Sequence, residues 1–208
     1  MKTAPSIISP ILIFILLGGT QLRASNLDTI GVTLLRAVTT NLNGAGISVA
    51  QPEASLFLSS PVWEVNPTNN SVQQPVSLFT YASSLGETNN FPNLLGAESW
   101  HANEVAGNLY GVPSGVATNI ARVDNFDAEH FVNYYIISNL ATLNDFIVNQ
   151  SFTFGALSVS DQQQKDSAYD DFASSYGTVF VSAVDNPVNG VIGNVHAPGT
   201  SYNCIGVG

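Results

Sequence analysis

A strand–helix–strand pattern in the second half of the chain decides the fold: "DFIVNQSF" at 145–152, "SDQQQKDSAYDDFASSYG" at 160–177 and "TVFVSAV" at 178–184. The outer two stretches are short apolar runs with β-branched residues, which predicts buried strands. The middle stretch predicts a helix that starts at the capping residue Ser160 and ends at Gly177. Its apolar residues at helical spacing are Ala168, Tyr169, Phe172 and Tyr176. Two strands joined through a helix are expected to lie parallel in one sheet.

The same alternation extends over much of the remaining chain. Further strands are predicted at 46–51, 119–125 and 203–208, and further helices at 27–42, 101–110 and 127–140, the last of them capped by Asp127. The helix at 27–42 is predicted from Leu27, Ile30, Leu34, Leu35, Val38 and Leu42. Residues 56–96, rich in Pro, Asn, Ser and Gly, predict a long connection with one or two short strands. We therefore expect an α/β domain of three layers, with a mostly parallel sheet flanked by helices.

Polar residues follow several of the predicted strands, and a histidine opens one of the predicted helices. Because the carboxyl ends of parallel strands meet at one edge of the sheet, functional groups are expected to gather there. The residues in question are Glu53, Asp124, Asn125, the stretch from Ser151 to Gly155, Asp185 and Asn186, with His101 at the start of its helix.

Composition narrows the class of protein. The length of 208 residues suits one domain, and an apolar content of 45% is enough to bury a sizeable core. Fifteen Asp and Glu against five Lys and Arg give a net charge of -10. Because a surface this acidic repels phosphate backbones, nucleic-acid binding is not expected.

The N-terminus has the pattern of a signal peptide over residues 1–24. A short positive start is followed by an apolar run at 7–19 and a cleavage site after Ala24. We therefore expect a secreted or cell-envelope protein whose residues 25–208 form the domain, and an uncleaved anchor is the alternative. No second long apolar run exists, so no integral membrane span is expected after signal removal. The single cysteine, Cys204, is expected to be a small buried apolar residue.

Five segments, in order, resemble the subtilisin-like serine proteases. These are "GAGISVAQPEAS" at 44–55, "WHANEVAGNLYG" at 100–111, "FIVNQSFTFG" at 146–155, "TVFVSAVDN" at 178–186 and "APGTSYNCIGVG" at 197–208. The second is similar to the His-Gly-Thr-His-Val-Ala-Gly motif of that family, with His101, Val105, Ala106 and Gly107 in register. The resemblance implies a subtilisin-like fold, a protein or peptide as substrate, and hydrolysis of peptide bonds through an acyl-enzyme.

The same resemblance implies roles for individual residues. His101 would be the general base, Glu53 the acid that orients it, and Asn186 the donor to the oxyanion. The segment with Ser151, Phe152 and Gly155 would pair with the substrate backbone. No cofactor is expected; calcium is common in the family, but no residue here can be assigned to it, and no metal-ligand pattern is present.

Three positions depart from the family pattern. The acid is Glu53 where the family has Asp, and Asp185 precedes Asn186 where the family has Gly. The nucleophile motif, Gly-Thr-Ser-x-Ala-x-Pro, is not found; the "GTS" at 199–201 leads into a predicted strand, so Ser201 is interpreted as a loop serine. We therefore expect residues 25–208 to be a partial peptidase domain that ends before its serine and is inactive by itself.

Two alternatives remain open at this stage. One is a non-catalytic exported domain, binding or regulatory, on the same fold. The other is an exported α/β binding module unrelated to the proteases.

Overall fold

The computed structural model describes residues 25–55, 61–93, 95–186 and 193–208. The predicted signal peptide at 1–24 lies outside these residues. Within the described ranges, no helix has the length and apolar character needed to cross a membrane.

Nine strands and five α-helices make up the described chain. The strands are β1 (Ser48–Glu53), β2 (Val62–Glu64), β3 (Phe79–Ser83), β4 (Gly86–Thr88), β5 (Ala97–Glu98), β6 (Arg122–Asp127), β7 (Ile147–Gln150), β8 (Val179–Ala183) and β9 (Cys204–Val207). The helices are α1 (Asn26–Thr29), α2 (Val32–Val38), α3 (Trp100–Leu109), α4 (Ala128–His130) and α5 (Val159–Tyr176), with a 3-10 turn at Val76–Leu78 and a π-helix at Phe131–Ile137.

Seven strands form the main sheet, in the order β4-β3-β6-β1-β7-β8-β9. Every pairing in it is parallel except that of β3 with β4. The strands β2 and β5 form a separate pair. Because β1 lies at the centre, between β6 and β7, its side chains are buried on both faces.

Helices cover both faces of this sheet. Along β1 the side chains alternate, so Val49 packs on the face of α3 with Tyr110, whereas Ala50 packs on the opposite face with Phe131 and Tyr169. We call these the α3 face and the α5 face. The predicted three-layer α/β architecture, with a mostly parallel sheet between helices, is confirmed.

The helix predicted over 27–42 is wrong in extent and in burial. Gly31, with φ of +80°, adopts a left-handed conformation and divides the segment into α1 and α2, and the helix ends at Val38 rather than at Gly44. The apolar residues that predicted a buried face are exposed: Ile30, Leu34, Leu35, Val38 and Leu42. The side chain of Arg36 connects the segment to the domain, donating to the main-chain oxygens of Gly115 and Val116 at 2.9 and 2.8 Å.

Other helices and strands also differ from the prediction in where they lie or begin. The long connection at 56–96 contains short strands, as expected, and one of them, β3, is an interior strand of the main sheet. The cap of α5 is Ser158, whose Oγ accepts from the main-chain nitrogen of Asp161, and not Ser160. Gly177 ends α5 as expected, with φ of +68°.

Candidate active site

The side chains of Glu53 and His101 meet at the carboxyl end of the central strand. The strand was expected to end at residue 51, with Glu53 in the stretch that follows it, but β1 runs to Glu53, which is its last residue. Its Oε2 lies 2.9 Å from Nδ1 of His101. The glutamate is 1% exposed and the histidine side chain 32% exposed, so a buried carboxylate lies behind a partly open imidazole.

Local structure around Ser99 explains how His101 reaches this position. Ser99 caps α3, since its Oγ accepts from the main-chain nitrogen of Ala102, and its own N–H donates to the main-chain oxygen of Glu64. His101 is the second residue of α3. It therefore lies in the first turn of α3, which faces the end of β1. The ring of Trp100, which is 66% exposed, meets the imidazole of His101 edge-on at 5.7 Å.

The contact with Glu53 fixes the proton on the imidazole. An ionised carboxylate only accepts hydrogen bonds, so Nδ1 carries the hydrogen and the neutral ring keeps its lone pair on Nε2. Within the described ranges Nε2 has no hydrogen-bond partner, and it is not a buried atom. The hydrogen bond to Glu53 raises the pKa of His101, against the opposing effect of burial, and the charges of Glu53 and Glu104 add to the rise.

A buried glutamine holds the second oxygen of the acid. Gln51 and Glu53 are two residues apart on β1, so their side chains lie on the same face. The Nε2 of Gln51 donates to Oε1 of Glu53 at 2.8 Å and to the main-chain oxygen of Ala102 at 3.1 Å. Its Oε1 accepts from the hydroxyl of Tyr110 at 2.5 Å, and its main-chain oxygen accepts from Nδ2 of Asn125 at 2.9 Å.

Asn186 lies beyond β8, at the same edge of the sheet as the end of β1. Its side chain is exposed, and its main-chain N–H donates to Oδ1 of Asp185 at 2.7 Å. One strand, β7, separates β8 from β1, so the two strands are about 10 Å apart. Among the described residues no hydrogen bond joins Asn186 to Glu53 or His101, and its role at an oxyanion stays a prediction.

The segment with Ser151, Phe152 and Gly155 follows β7 at this edge and belongs to no helix or strand. The N–H of Phe154 donates to the main-chain oxygen of Ala197, whereas those of Phe152 and Thr153 have no main-chain partner in the described chain. Phe152 is partly buried against the core of the α5 face, and Gly155 has a left-handed φ of +66°.

A cleft of about 250 Å³ adjoins this segment on its α5-face side. It is lined by the stretch Phe152–Phe154 and by residues of α4, the π-helix and α5, among them Ala128, Val132 and Lys165. The ammonium of Lys165 lies 5.0 Å from the centre of the Phe154 ring.

Two of the polar positions expected at the edge of the sheet have other roles. Asp124 and Asn125 lie inside β6, which runs to Asp127, and not after it. Asp124 pairs with Nε of Arg122 at 2.7 Å. Asn125 is fully buried; its Oδ1 accepts from the main-chain nitrogen of Val65, so it joins β6 to neighbouring main chain.

Ser201 and Cys204 lie near α5, away from His101. Ser201 is 5% exposed, and its hydroxyl donates to Oδ1 of Asp166 in α5 at 3.2 Å, which agrees with a loop serine. Cys204 packs partly buried against the core of the α5 face. Burial raises the pKa of its thiol to about 11, so the thiolate nucleophile is scarce at neutral pH.

Across the described ranges, no group of three or more His, Cys, Asp or Glu side chains is arranged to hold a metal ion. Calcium therefore remains an expectation from the resemblance alone.

Sequence reasoning missed two residues of this site, Gln51 and Tyr110. Gln51 had a readable signal, since a residue two before Glu53 on a strand lies on the same face. Tyr110 had none, because its hydroxyl reaches Gln51 across the sheet–helix interface, 59 positions along the chain.

The sequence matches no family model, and no curated protein matches it. Two solved structures similar to this chain are described as "PatG macrocyclase in complex with peptide" and "Structure of Patellamide maturation protease PatG". Their identities to this chain are 14% and 16%, and their TM-scores are 0.49 and 0.48. Each alignment covers 90% of this chain and 64% of the other, so the chain spans less than two thirds of either.

Proposed function

We propose that this chain supplies the acid and the base of a subtilisin-type serine endopeptidase. One observation carries the proposal: Oε2 of a fully buried Glu53 lies 2.9 Å from Nδ1 of His101, while Nε2 is open. In this proposal the nucleophilic serine comes from sequence outside residues 1–208.

The geometry suits general-base catalysis. As the serine oxygen attacks the peptide carbonyl, its proton passes to Nε2 of His101, and the imidazolium that forms is stabilised by the carboxylate of Glu53. The same proton then passes to the leaving nitrogen as the C–N bond breaks. Water then attacks the acyl-enzyme ester through the same proton transfers. This restores the serine hydroxyl and releases the carboxylic acid product.

Substrate binding in this proposal uses the segment that follows β7. The main-chain N–H groups of Phe152 and Thr153, which bond to no main-chain oxygen in the described ranges, would pair with an extended peptide by strand addition. The neighbouring cleft would accept one of the side chains of that peptide. Asn186 would donate to the oxyanion from the end of β8.

The test is activity of the natural gene product that contains these residues, with casein as substrate. Replacing His101 by Ala should reduce kcat by on the order of 10⁶-fold, the loss that follows removal of the base in subtilisin itself. The matched control is His130→Ala, because His130 stacks on Tyr134 and its ring pairs with no carboxylate among the residues that the structure describes. Casein hydrolysis that survives His101→Ala would contradict the proposal.

The 208-residue chain alone is expected to give no covalent labelling by a fluorophosphonate probe. Labelling of one of its own serines would contradict the claim that the nucleophile lies outside it. Coding sequence without a Gly-Thr-Ser-x-Ala-x-Pro stretch after Gly208 would instead favour the non-catalytic domain.

A further inference from the structure

We infer that Gln51 and Tyr110 are positioning residues, which hold the carboxylate of Glu53 against His101 from behind. The inference rests on the proposed function, because it concerns the acid of that same site. Both residues lie within segments that carry the resemblance, at 44–55 and 100–111, but the resemblance implied no role for either of them.

The first observation concerns the length of the Glu53 side chain. A glutamate reaches one methylene further than an aspartate and has one more rotatable bond, so its carboxylate needs more restraint to stay at one point. Oε2 is occupied by Nδ1 of His101, and Oε1 is occupied by Nε2 of Gln51 at 2.8 Å. Both oxygens are thus fixed by donors on opposite sides.

The second step is that Gln51 contacts both halves of the pair. Its amide nitrogen has two hydrogens; one goes to Glu53 and the other to the main-chain oxygen of Ala102, the residue next to His101 in α3. One amide group therefore sets the end of β1 and the first turn of α3 at a fixed separation. This is the separation on which the 2.9 Å contact between Glu53 and His101 depends.

The third step is the orientation of that amide. A flipped Gln51 would present its oxygen to the carboxylate of Glu53, and the two acceptors would repel. The hydroxyl of Tyr110 favours the observed orientation, because it donates to Oε1 of Gln51 at 2.5 Å. Burial raises the pKa of Tyr110 well above its usual value of 10.0, with added effects of Glu53 and Tyr81, so the hydroxyl stays a donor.

Burial makes the arrangement an all-or-none network. Gln51 and Tyr110 are fully buried and Glu53 nearly so, and every donor and acceptor of the Gln51 side chain has a partner. Because water cannot replace a lost partner here, removing one member leaves the next one unsatisfied. The charged side chains that act on His101 are those of Glu53 on β1 and Glu104 on α3.

The test is the pKa of His101, measured by NMR titration in the 208-residue chain. Gln51→Met keeps the volume and removes the donor to Glu53. Without that donor the carboxylate is no longer held against His101, and loss of the hydrogen bond between them lowers the pKa of His101. Tyr110→Phe removes only the hydroxyl and is expected to lower the pKa of His101 by a smaller amount than Gln51→Met does.

The matched control is Tyr169→Phe, which removes an equally buried hydroxyl bonded to a glutamine on the α5 face. It is expected to leave the titration of His101 unchanged. A purely structural role for Tyr110 would lower stability without moving the pKa. Titrations of Gln51→Met and Tyr110→Phe that coincide with wild type would therefore overturn the inference.

Glu53→Gln separates this inference from the proposed function. If Glu53→Gln lowers the pKa of His101 while Gln51→Met and Tyr110→Phe do not, the positioning role fails and the acid–base pair stands. If Glu53→Gln leaves the pKa unchanged, the pair itself fails, and the positioning role fails with it.

Discussion

Two buried glutamine–tyrosine pairs lie on opposite faces of the sheet and differ in what lies beyond them. On the α3 face, Gln51 accepts from the hydroxyl of Tyr110 and donates onward to a carboxylate. On the α5 face, Gln150 donates to the hydroxyl of Tyr169 at 2.7 Å and accepts from Ser182 at 3.1 Å. All five side chains are nearly or fully buried.

The second pair ends within the core. Gln150 and Ser182 are neighbours across β7 and β8, so their hydrogen bond joins two strands that the main chain already pairs. Both pairs join the sheet to a helix, but only the first leads on to a carboxylate and a partly exposed histidine. Similar chemistry thus stabilises packing on one face and orients an acid–base pair on the other.

Among the variants that test this comparison, Gln150→Met is expected to have the largest effect on the free energy of unfolding. The hydroxyls of Tyr169 and Ser182 would each lose a buried partner, at a cost of about 1–3 kcal/mol in the free energy of unfolding. Urea denaturation measures the loss, and an NMR titration should show His101 unaltered. A changed pKa of His101 in this variant would mean that the two faces are coupled.

A smaller effect is expected for the serine caps of the two main helices. Ser158→Ala and Ser99→Ala each remove the side-chain acceptor at a helix start, at a cost of about 1 kcal/mol. Only Ser99 caps the turn that carries His101, so only Ser99→Ala should also lower the pKa of that histidine. If both variants affect stability alone, the first turn of α3 is held by other contacts.

The smallest effect is expected in the pH dependence of stability. Because Glu53 raises the pKa of His101 in the folded state, the pair adds stability that is complete below the unfolded value of about 6.5. That contribution is lost as the pH rises through the folded pKa. Unfolding free energies at pH 5.5 and 8.5 should therefore differ more in wild type than in Glu53→Gln. Equal differences in both proteins would show that the hydrogen bond does not persist in solution.

The sequence predicted the sheet and its flanking helices because strands and helices repeat their apolar residues at different, characteristic spacings. The stretch 145–184 is the clearest case, since α5 and the strands on either side of it lie close to where they were expected. It did not predict that 27–42 would lie on the surface, because an apolar stripe at helical spacing does not say whether a partner covers it. Gly31 breaks that helix, but in the sequence it indicated only a low helix propensity.

The candidate site was predictable in part. Glu53 and His101 were singled out from the resemblance and from the expected end of β1, and they lie in contact. Gln51 and Tyr110 were not, since what they do depends on distances across the interface between β1 and α3. Asp124 and Asn125 were assigned to the end of their predicted strand, whereas β6 continues to Asp127, because apolar patterning does not mark a strand boundary sharply.

The position of the ring proton of His101 tests the central claim most directly. Long-range ¹H–¹⁵N correlation spectra, recorded above the pKa of His101, distinguish a proton on Nδ1 from one on Nε2. We predict a single neutral form with the proton on Nδ1, facing Glu53, and an unprotonated Nε2. A proton found mainly on Nε2 would contradict the account, because that nitrogen could not then act as the base.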